Sequence, residues 1–328
     1  MSWQGKRVLV TGAGGFIGSH LVEELVKAGA SVTAFLRYNS RSGQGNLEYL
    51  DPGILDNIGI VFGDIRNFDA VSREVKGCDV VFHLAALVGI PYSYENVREV
   101  VETNQLGTLN ILTASKEAVG RVVHTSSSEV YGSACYVPID EKHPLQGQSP
   151  YSASKIGAEK LAESFYASFD LPVVTVRPFN CYGPRQSARA VIPAMISQAL
   201  CHDEILLGNT ETLRDFTFVT DTVAGFMAAA ESEAAVGKVF NLGSGKEVAI
   251  GELARIIGSL TRPDLTIKLD PARLRPSKSE VTRLLSDNSL AKQVLKWEPT
   301  ITLNDGLART KEWIAAHLPL YPVGVYQK

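Results

Sequence analysis

An α/β fold, in which a doubly wound parallel sheet is followed by a smaller mixed α/β lobe, is predicted for this 328-residue chain by three observations. Short apolar, β-branched runs recur along the first half, amphipathic helical stretches separate them, and a glycine-rich turn joins the first run to the first helix. The length allows two domains. With 45% hydrophobic and 20% charged residues the composition is that of an ordinary folded chain, which excludes disorder as the main theme.

The first run, Arg7-Val-Leu-Val-Thr11, reads as a strand buried on both faces, and the runs that follow read the same way. Next comes Thr-Gly-Ala-Gly-Gly-Phe-Ile-Gly, with Gly12, Gly15 and Gly18 at three-residue spacing. Gly12 permits the tight turn, Gly15 lets the backbone approach a pyrophosphate, and Gly18 lets helix and strand pack closely. Phe16 and Ile17 lie where the helix N-terminus faces the anion. Residues 20–28 form the helix, with Leu21/Leu25 and Val22/Val26 one turn apart and Gly29 as its stop. The turn therefore predicts a Rossmann-type dinucleotide site, with the spacing G-x-x-G-x-x-G in place of G-x-G-x-x-G.

The second strand, 31–35, leads into a polar loop, 37–44. A carboxylate at this strand end reads the ribose of NAD; here stand Arg37 and Arg41, which either hold the 2′-phosphate of NADP or are solvated loop residues. NADP or NAD is the expected cofactor. After the third strand, 58–62, Asp64 either accepts from the adenine amine or caps the next helix, with Ile65 beside it. The fourth strand, 79–83, delivers Leu84, Ala85 and Ala86 to the cofactor. The fifth, 121–125, runs into Ser126-Ser127-Ser128-Glu129. Ser149 as N-cap and Pro150 at the first helical position start a helix on which Tyr151 and Lys155 share a face. A phenol titrates near about 10 in water, so a neighbouring ammonium and the cofactor's positive charge are needed to make it a base near neutrality. The sixth strand is 172–177.

Beyond residue 176 the alternation breaks up, and Pro and Gly cluster at 177–185. Residues 1–176 are assigned to the dinucleotide-binding domain and 177–328 mainly to a substrate lobe. Segments near 215–245, namely 218–223 and 239–243, are expected to return to the sheet, leaving a cleft between interleaved lobes.

Charge and composition exclude other classes. Lys and Arg total 32 against 35 Asp and Glu, a net charge of −3 without a basic block, so nucleic acid is not an expected partner. No uncharged apolar run approaches the ~20 residues that span a bilayer, and the N-terminus lacks a signal-peptide pattern, so no membrane association and a cytoplasmic location are expected. Cys78, Cys135, Cys181 and Cys201 are scattered without a C-x-x-C pair; buried free thiols are expected, and no metal.

Together, the glycine turn, the serine-rich strand end and Tyr151-x-x-x-Lys155 resemble the extended short-chain dehydrogenase/reductase family, in its NAD-dependent epimerase/dehydratase branch acting on nucleotide sugars. The resemblance continues through Asn104 with Gly107-Thr108, Arg177 to Arg185, and Arg214-Asp215-Phe216 to Asp221. It implies a tightly bound cofactor that is reduced and reoxidised within one turnover, a UDP- or GDP-linked sugar as substrate, and a homodimer. It further implies cofactor contact by Asn104 and nucleotide-sugar contacts by Asn180, Arg185, Arg214 and Arg275, for which ion pairing is the alternative fate.

Glu129 decides the subfamily. C4-epimerases of this branch typically carry a small or apolar residue there, whereas dehydratases need a carboxylate to take the C5 proton. Ser127-Ser128-Glu129 is similar to the Thr-Ser-Glu of GDP-mannose 4,6-dehydratases. Tyr94 and residues 143–148 and 184–191 resemble amino-sugar 4,6-dehydratases of legionaminic-acid-type pathways, whose substrates are nucleotide-linked N-acetylglucosamines. The implied chemistry has Tyr151, its pKa lowered by Lys155, take the C4 hydroxyl proton while Ser127 hydrogen-bonds the same oxygen. Glu129 then removes the C5 proton, Ser128 or Glu129 itself assists water loss from C6, and hydride returns to C6. The nearest rival reading is a UDP-glucuronate decarboxylase, which also shows a Ser/Thr-Ser-Glu strand end and likewise oxidises C4 first; the others are a C4- or C5-epimerase, a non-catalytic NAD(P)-binding sensor, and a Glu129 that only pairs with a structural cation.

Overall fold

A computed structural model describes residues 2–274 and 276–323, so Arg275 lies outside the described residues. The strands are β1 (Arg7–Thr11), β2 (Ser31–Arg37), β3 (Ile58–Gly63), β4 (Val80–His83), β5 (Arg121–Thr125), β6 (Val173–Pro178), β7 (Asn180–Tyr182), β8 (Glu204–Leu207), β9 (Leu213–Phe218), β10 (Val239–Leu242), β11 (Glu247–Ala249), β12 (Thr266–Leu269) and β13 (Arg283–Leu284). The helices are α1 (Phe16–Lys27), α2 (Pro52–Leu55), α3 (Phe68–Val75), α4 (Ile90–Glu95), α5 (Val97–Val101), α6 (Gly107–Ser115), α7 (Pro150–Phe169), α8 (Val191–Cys201), α9 (Val219–Glu231), α10 (Ile250–Thr261) and α11 (Leu303–Ala316).

Seven strands form one parallel sheet in the order β3-β2-β1-β4-β5-β6-β10. Alternation along each strand sends side chains to two cores. Val8, Val10, Phe82, Val123 and Val174 pack on one face, and Leu9, Val81, Val122 and Val173 on the other. The first core continues without a break into the second lobe through Ile205, Leu253 and Ile257, so the lobes share one interior. That lobe is built on β9, which pairs with β7, β11 and β13, and on the separate pair β8·β12.

Several expectations are corrected here. β3 is not buried on both faces; it is the sheet's edge, and its residues are half-buried or exposed. Of the two returning segments, only β10 rejoins the sheet. Residues 219–223 open α9, whose Val219, Val223 and Phe226 recur at helical spacing and pack into the core, while Phe218 ends β9 in the second sheet. Cys135 and Cys201 are exposed thiols, not buried ones.

α7 starts as a capping box: the Ser149 side chain accepts from the Ser152 backbone N–H at 3.1 Å, and the Ser152 hydroxyl accepts from the Ser149 N–H at 2.9 Å. At its middle, the buried carboxylate of Glu159 is clamped by Arg177 on β6, whose Nε donates to Oε2 at 3.0 Å and whose Nη2 donates to Oε1. Arg177 Nη1 also donates to the Tyr131 hydroxyl at 2.6 Å, and that hydroxyl donates to Asn241 on β10 at 2.6 Å. Removing one partner of such a pair leaves a buried, unpaired charge. Arg177→Met alone should therefore lower unfolding stability by about 3–5 kcal/mol, read from chemical denaturation.

Candidate active site

The C-terminal ends of β1, β2, β4 and β5 open into a cleft of about 870 Å³ that runs from the β1–α1 turn to the second lobe. Gly12, Gly15, Phe16, Ile17 and Gly18 form its floor; Arg37, Asp64 and Ile65 bound one end; Leu84, Ala85 and Ala86 line the middle. Gly12 has φ +71°, and a Cβ there would stand 2.8 Å from the Ala85 nitrogen. A Cβ on Gly18 would stand 2.2 Å from the Gly12 carbonyl oxygen, so β1 and α1 approach this closely only over glycine.

The residues present fit a dinucleotide. Gly15, the N-cap of α1, supplies no side-chain cap, and the first turn of α1 has no acidic residue, which leaves its N–H groups for an anion. Three buried polar atoms in or beside the wall, Gln44 Oε1, Thr125 Oγ1 and Ser126 Oγ, have no partner within the protein, and a polar ligand would satisfy them.

At the adenosine end the two arginines of the cleft wall are already paired. Arg37 Nη2 donates to Glu99 at 3.2 Å, and Arg66 Nη2 donates to Asp64 at 2.6 Å, which holds the Asp64 carboxyl below its usual range. Asp64 does not cap α3; Asn67 does, accepting from the Ala70 N–H.

At the reactive end, Ser127, Glu129, Tyr151 and Lys155 all face the cleft. β5 stops at Thr125, and the chain tightens into a turn at residues 128–131. There the Ser127 hydroxyl oxygen accepts from the Glu129 N–H at 3.2 Å. Ser127 and Glu129 consequently face the cleft, while Ser128 between them is buried outside its wall. No cation among the described residues pairs with Glu129, which sets aside the reading of that carboxylate as half of a structural ion pair.

Lys155 Nζ donates to the Thr125 carbonyl at 2.5 Å. Burial pulls its ammonium down to about 8, a fall opposed by the Glu159 carboxylate. The expected lowering of the Tyr151 phenol does not appear in the protein alone. Burial raises it to about 12, against a hydrogen bond from Ser127 and with the Glu129 charge adding to the rise. The Ser127 hydrogen bond does not offset the desolvation of a buried phenolate.

Asn104 is not part of the cleft wall. Its side chain accepts from the Leu87 N–H at 2.8 Å and donates to the Leu87 carbonyl at 3.0 Å and to Ser154 at 2.9 Å, pinning the loop after β4 to α7. Arg185 is likewise turned away: it donates to Glu23 at 2.5 Å and to His20 at 2.7 Å, joining the second lobe to α1. His20 is held down at about 4 by burial and by Arg185. Asn180 and Arg214 do face the cleft, Asn180 donating to the Asp215 carbonyl at 3.0 Å and Arg214 pairing with Glu280 at 3.4 Å.

Sequence reasoning missed Leu87, Val88 and Ile90, which line the cleft beside Ala86, and Arg189, Arg273 and Glu280, which also line it, Glu280 paired with Arg214. Arg189 lies inside the 184–191 motif; Arg273 carries no sequence signal.

A family model described as GDP-mannose 4,6 dehydratase matches residues 9–310. A UDP-N-acetyl-alpha-D-glucosaminuronate decarboxylase of Bacillus cytotoxicus is 35% identical, with 94% of this chain and 97% of that protein covered. An epimerase of Methanothermobacter thermautotrophicus has a similar structure, with TM-score 0.87 and 33% identity over 97% of this chain and 95% of that one. DesIV, a dTDP-glucose 4,6-dehydratase of Streptomyces venezuelae solved with NAD bound, has TM-score 0.85 and 30% identity over 96% of this chain and 99% of its own.

Proposed function

Because the chain belongs to the NAD-dependent epimerase/dehydratase family of extended short-chain dehydrogenases/reductases, whose members act on nucleotide sugars, we propose that it is a nucleotide-sugar 4,6-dehydratase. Its substrate in this reading is a UDP- or GDP-linked N-acetylglucosamine, converted to the 4-keto-6-deoxy sugar. The single observation that carries the reading is Glu129, a carboxylate in the cleft wall, free of any cation among the described residues and in electrostatic contact with Tyr151.

NAD, when bound, supplies the acceptor for a hydride from C4 and the donor that returns it to the sugar. Gly12, Gly15, Phe16, Ile17 and Gly18 would hold its pyrophosphate, and Asp64, Ile65, Leu84, Ala85 and Ala86 its remaining length. NAD is favoured over NADP because Arg37 already faces Glu99, Arg66 already faces Asp64, and Arg41 does not line the cleft, so no cation of the cleft wall at this end is left for a 2′-phosphate. A Cβ at residue 18 forces β1 and α1 apart. Gly18→Ala should therefore raise the Kd for NAD by about tenfold or more in a binding titration, equivalent to about 1.4 kcal/mol.

Tyr151 takes the C4 hydroxyl proton, with Ser127 hydrogen-bonded to the same oxygen and Lys155 supplying positive charge beside the phenol. Oxidation at C4 acidifies the C5–H, and Glu129 accepts that proton. Water leaving C6 takes the proton that Glu129 received from C5; when hydride arrives at C6, C5 takes a proton from solvent through Glu129, and Tyr151 releases to solvent the proton it took from the C4 hydroxyl. Ser128 lies outside the cleft wall, and a serine hydroxyl is a poor acid. Glu129 is therefore assigned both proton transfers, to the C6 oxygen and from C5. Asn180 and Arg214 hold the diphosphate and ribose. A UDP-glucuronate decarboxylase shares the Ser/Thr-Ser-Glu strand end and also oxidises C4 first, so the two readings part at what is lost next, water or carbon dioxide.

The test is mass spectrometry of products from GDP- and UDP-N-acetylglucosamine, UDP-glucuronate and plain hexose nucleotides. Loss of one water from an N-acetylhexosamine nucleotide supports the proposal. Release of carbon dioxide, or an unchanged mass with altered stereochemistry, contradicts it.

A further inference from the structure

The Glu159–Arg177 pair is buried to within a few per cent of full enclosure and has no part in the chemistry above. Its place on α7 is the notable feature. Glu159 follows Lys155 by four residues, one helical turn on the same face, and Tyr151 precedes Lys155 by the same interval. The clamp from Arg177 is bidentate, and Tyr131 and Asn241 brace the arginine from the next elements, so the carboxylate cannot swing away from the helix axis.

The other groups facing Lys155 supply no negative charge. Thr125 offers a neutral carbonyl. His83 at the end of β4 is neutral, bonded to Thr11 and Thr108 through its two ring nitrogens. His124 on β5 is fully buried and neutral, with neither ring nitrogen partnered. On α7 itself Tyr151 is an uncharged phenol at neutral pH, and the Glu129 carboxylate bears on Tyr151. Glu159 is thus the carboxylate that acts on Lys155.

We infer that Glu159 is a positioning residue for C4 oxidation: its clamped carboxylate, one turn from Lys155, keeps that side chain an ammonium beside Tyr151. Arg177 serves the same end by fixing Glu159 through its bidentate clamp. The inference rests on the reading that Tyr151 and Lys155 perform the oxidation, but its first test needs no sugar.

The holoprotein is pulsed with trace acetic anhydride across a pH series, and acetylation of Lys155 is read by mass spectrometry, since only the free amine reacts. Glu159→Gln should acetylate about tenfold faster near neutral pH than the native protein, a shift of about one pH unit in the labelling curve. Glu159→Asp, which keeps the charge, should restore most of the native curve. Where Glu159→Gln is too unstable to purify, the double variant Glu159→Gln/Arg177→Met leaves no buried unpaired charge and should show the same direction of shift. The second readout is the pH profile of C4 oxidation with GDP- and UDP-N-acetylglucosamine, whose alkaline limb should move down with the labelling curve. A folded Gln variant that labels like the native protein overturns the inference, as does an equal shift in the Asp and Gln variants. A shifted labelling curve with neither sugar oxidised counts against the proposed function and leaves the role of Glu159 standing.

Discussion

Glu129→Gln is expected to stop water loss while sparing C4 oxidation. The amide keeps the size of the carboxylate and leaves the Glu129 N–H bonded to Ser127, so the turn after β5 should survive the change. It cannot accept a proton from C5 or pass one to the leaving oxygen at C6. Loss of a positioned general acid–base costs about 10²–10⁴-fold. Turnover to the 4-keto-6-deoxy product should fall by that factor or more, because one group is asked to serve two steps. The absorbance of reduced nicotinamide should rise on adding substrate and persist, since the oxidised sugar has no route forward. A C4-epimerase would behave differently: Glu129 would be a bystander, and the variant would retain most of its activity.

Tyr151→Phe should act one step earlier. The phenol is pushed up to about 12 by burial, so in the protein alone it is protonated at neutral pH. In the proposed site the positive charges of Lys155 and of the bound nicotinamide would make the phenolate accessible. Without the oxygen no group in the cleft wall can take the C4 proton from the same position, because Lys155 is turned onto Thr125 and Ser127 is a hydroxyl. C4 oxidation should fall by about 10²–10⁴-fold with NAD affinity little changed, which a binding titration and a single-turnover absorbance trace together separate. A variant that still oxidises its sugar at a comparable rate would remove Tyr151 from the proposed role.

Legibility in the sequence followed the locality of the cause. The β1–α1 turn was readable because three glycines, a strand and an amphipathic helix are contiguous, and the start of α7 because Ser149 and Pro150 act on the next few residues. Ser128 and Asn104 were harder. Motif position put both at the site, yet side-chain direction depends on how the chain turns after Thr125 and on what the loop at Leu87 needs for its own hydrogen bonds. Arg185 illustrates the same limit, since nothing in its motif foretells Glu23 and His20 across the lobe boundary. The edge position of β3 and the path of residues 219–223 were set by tertiary pairing, and the rise of the Tyr151 phenol by burial; neither is a property of a short stretch of sequence.

The most direct test of the central claim follows one hydrogen. GDP- and UDP-N-acetylglucosamine carrying deuterium at C4 would be converted by the holoprotein and the product examined by NMR and mass spectrometry. The account predicts a product one water lighter that keeps the deuterium, now at C6. Deuterium returned to C4, in a sugar of unchanged mass, would contradict it and make the protein an epimerase.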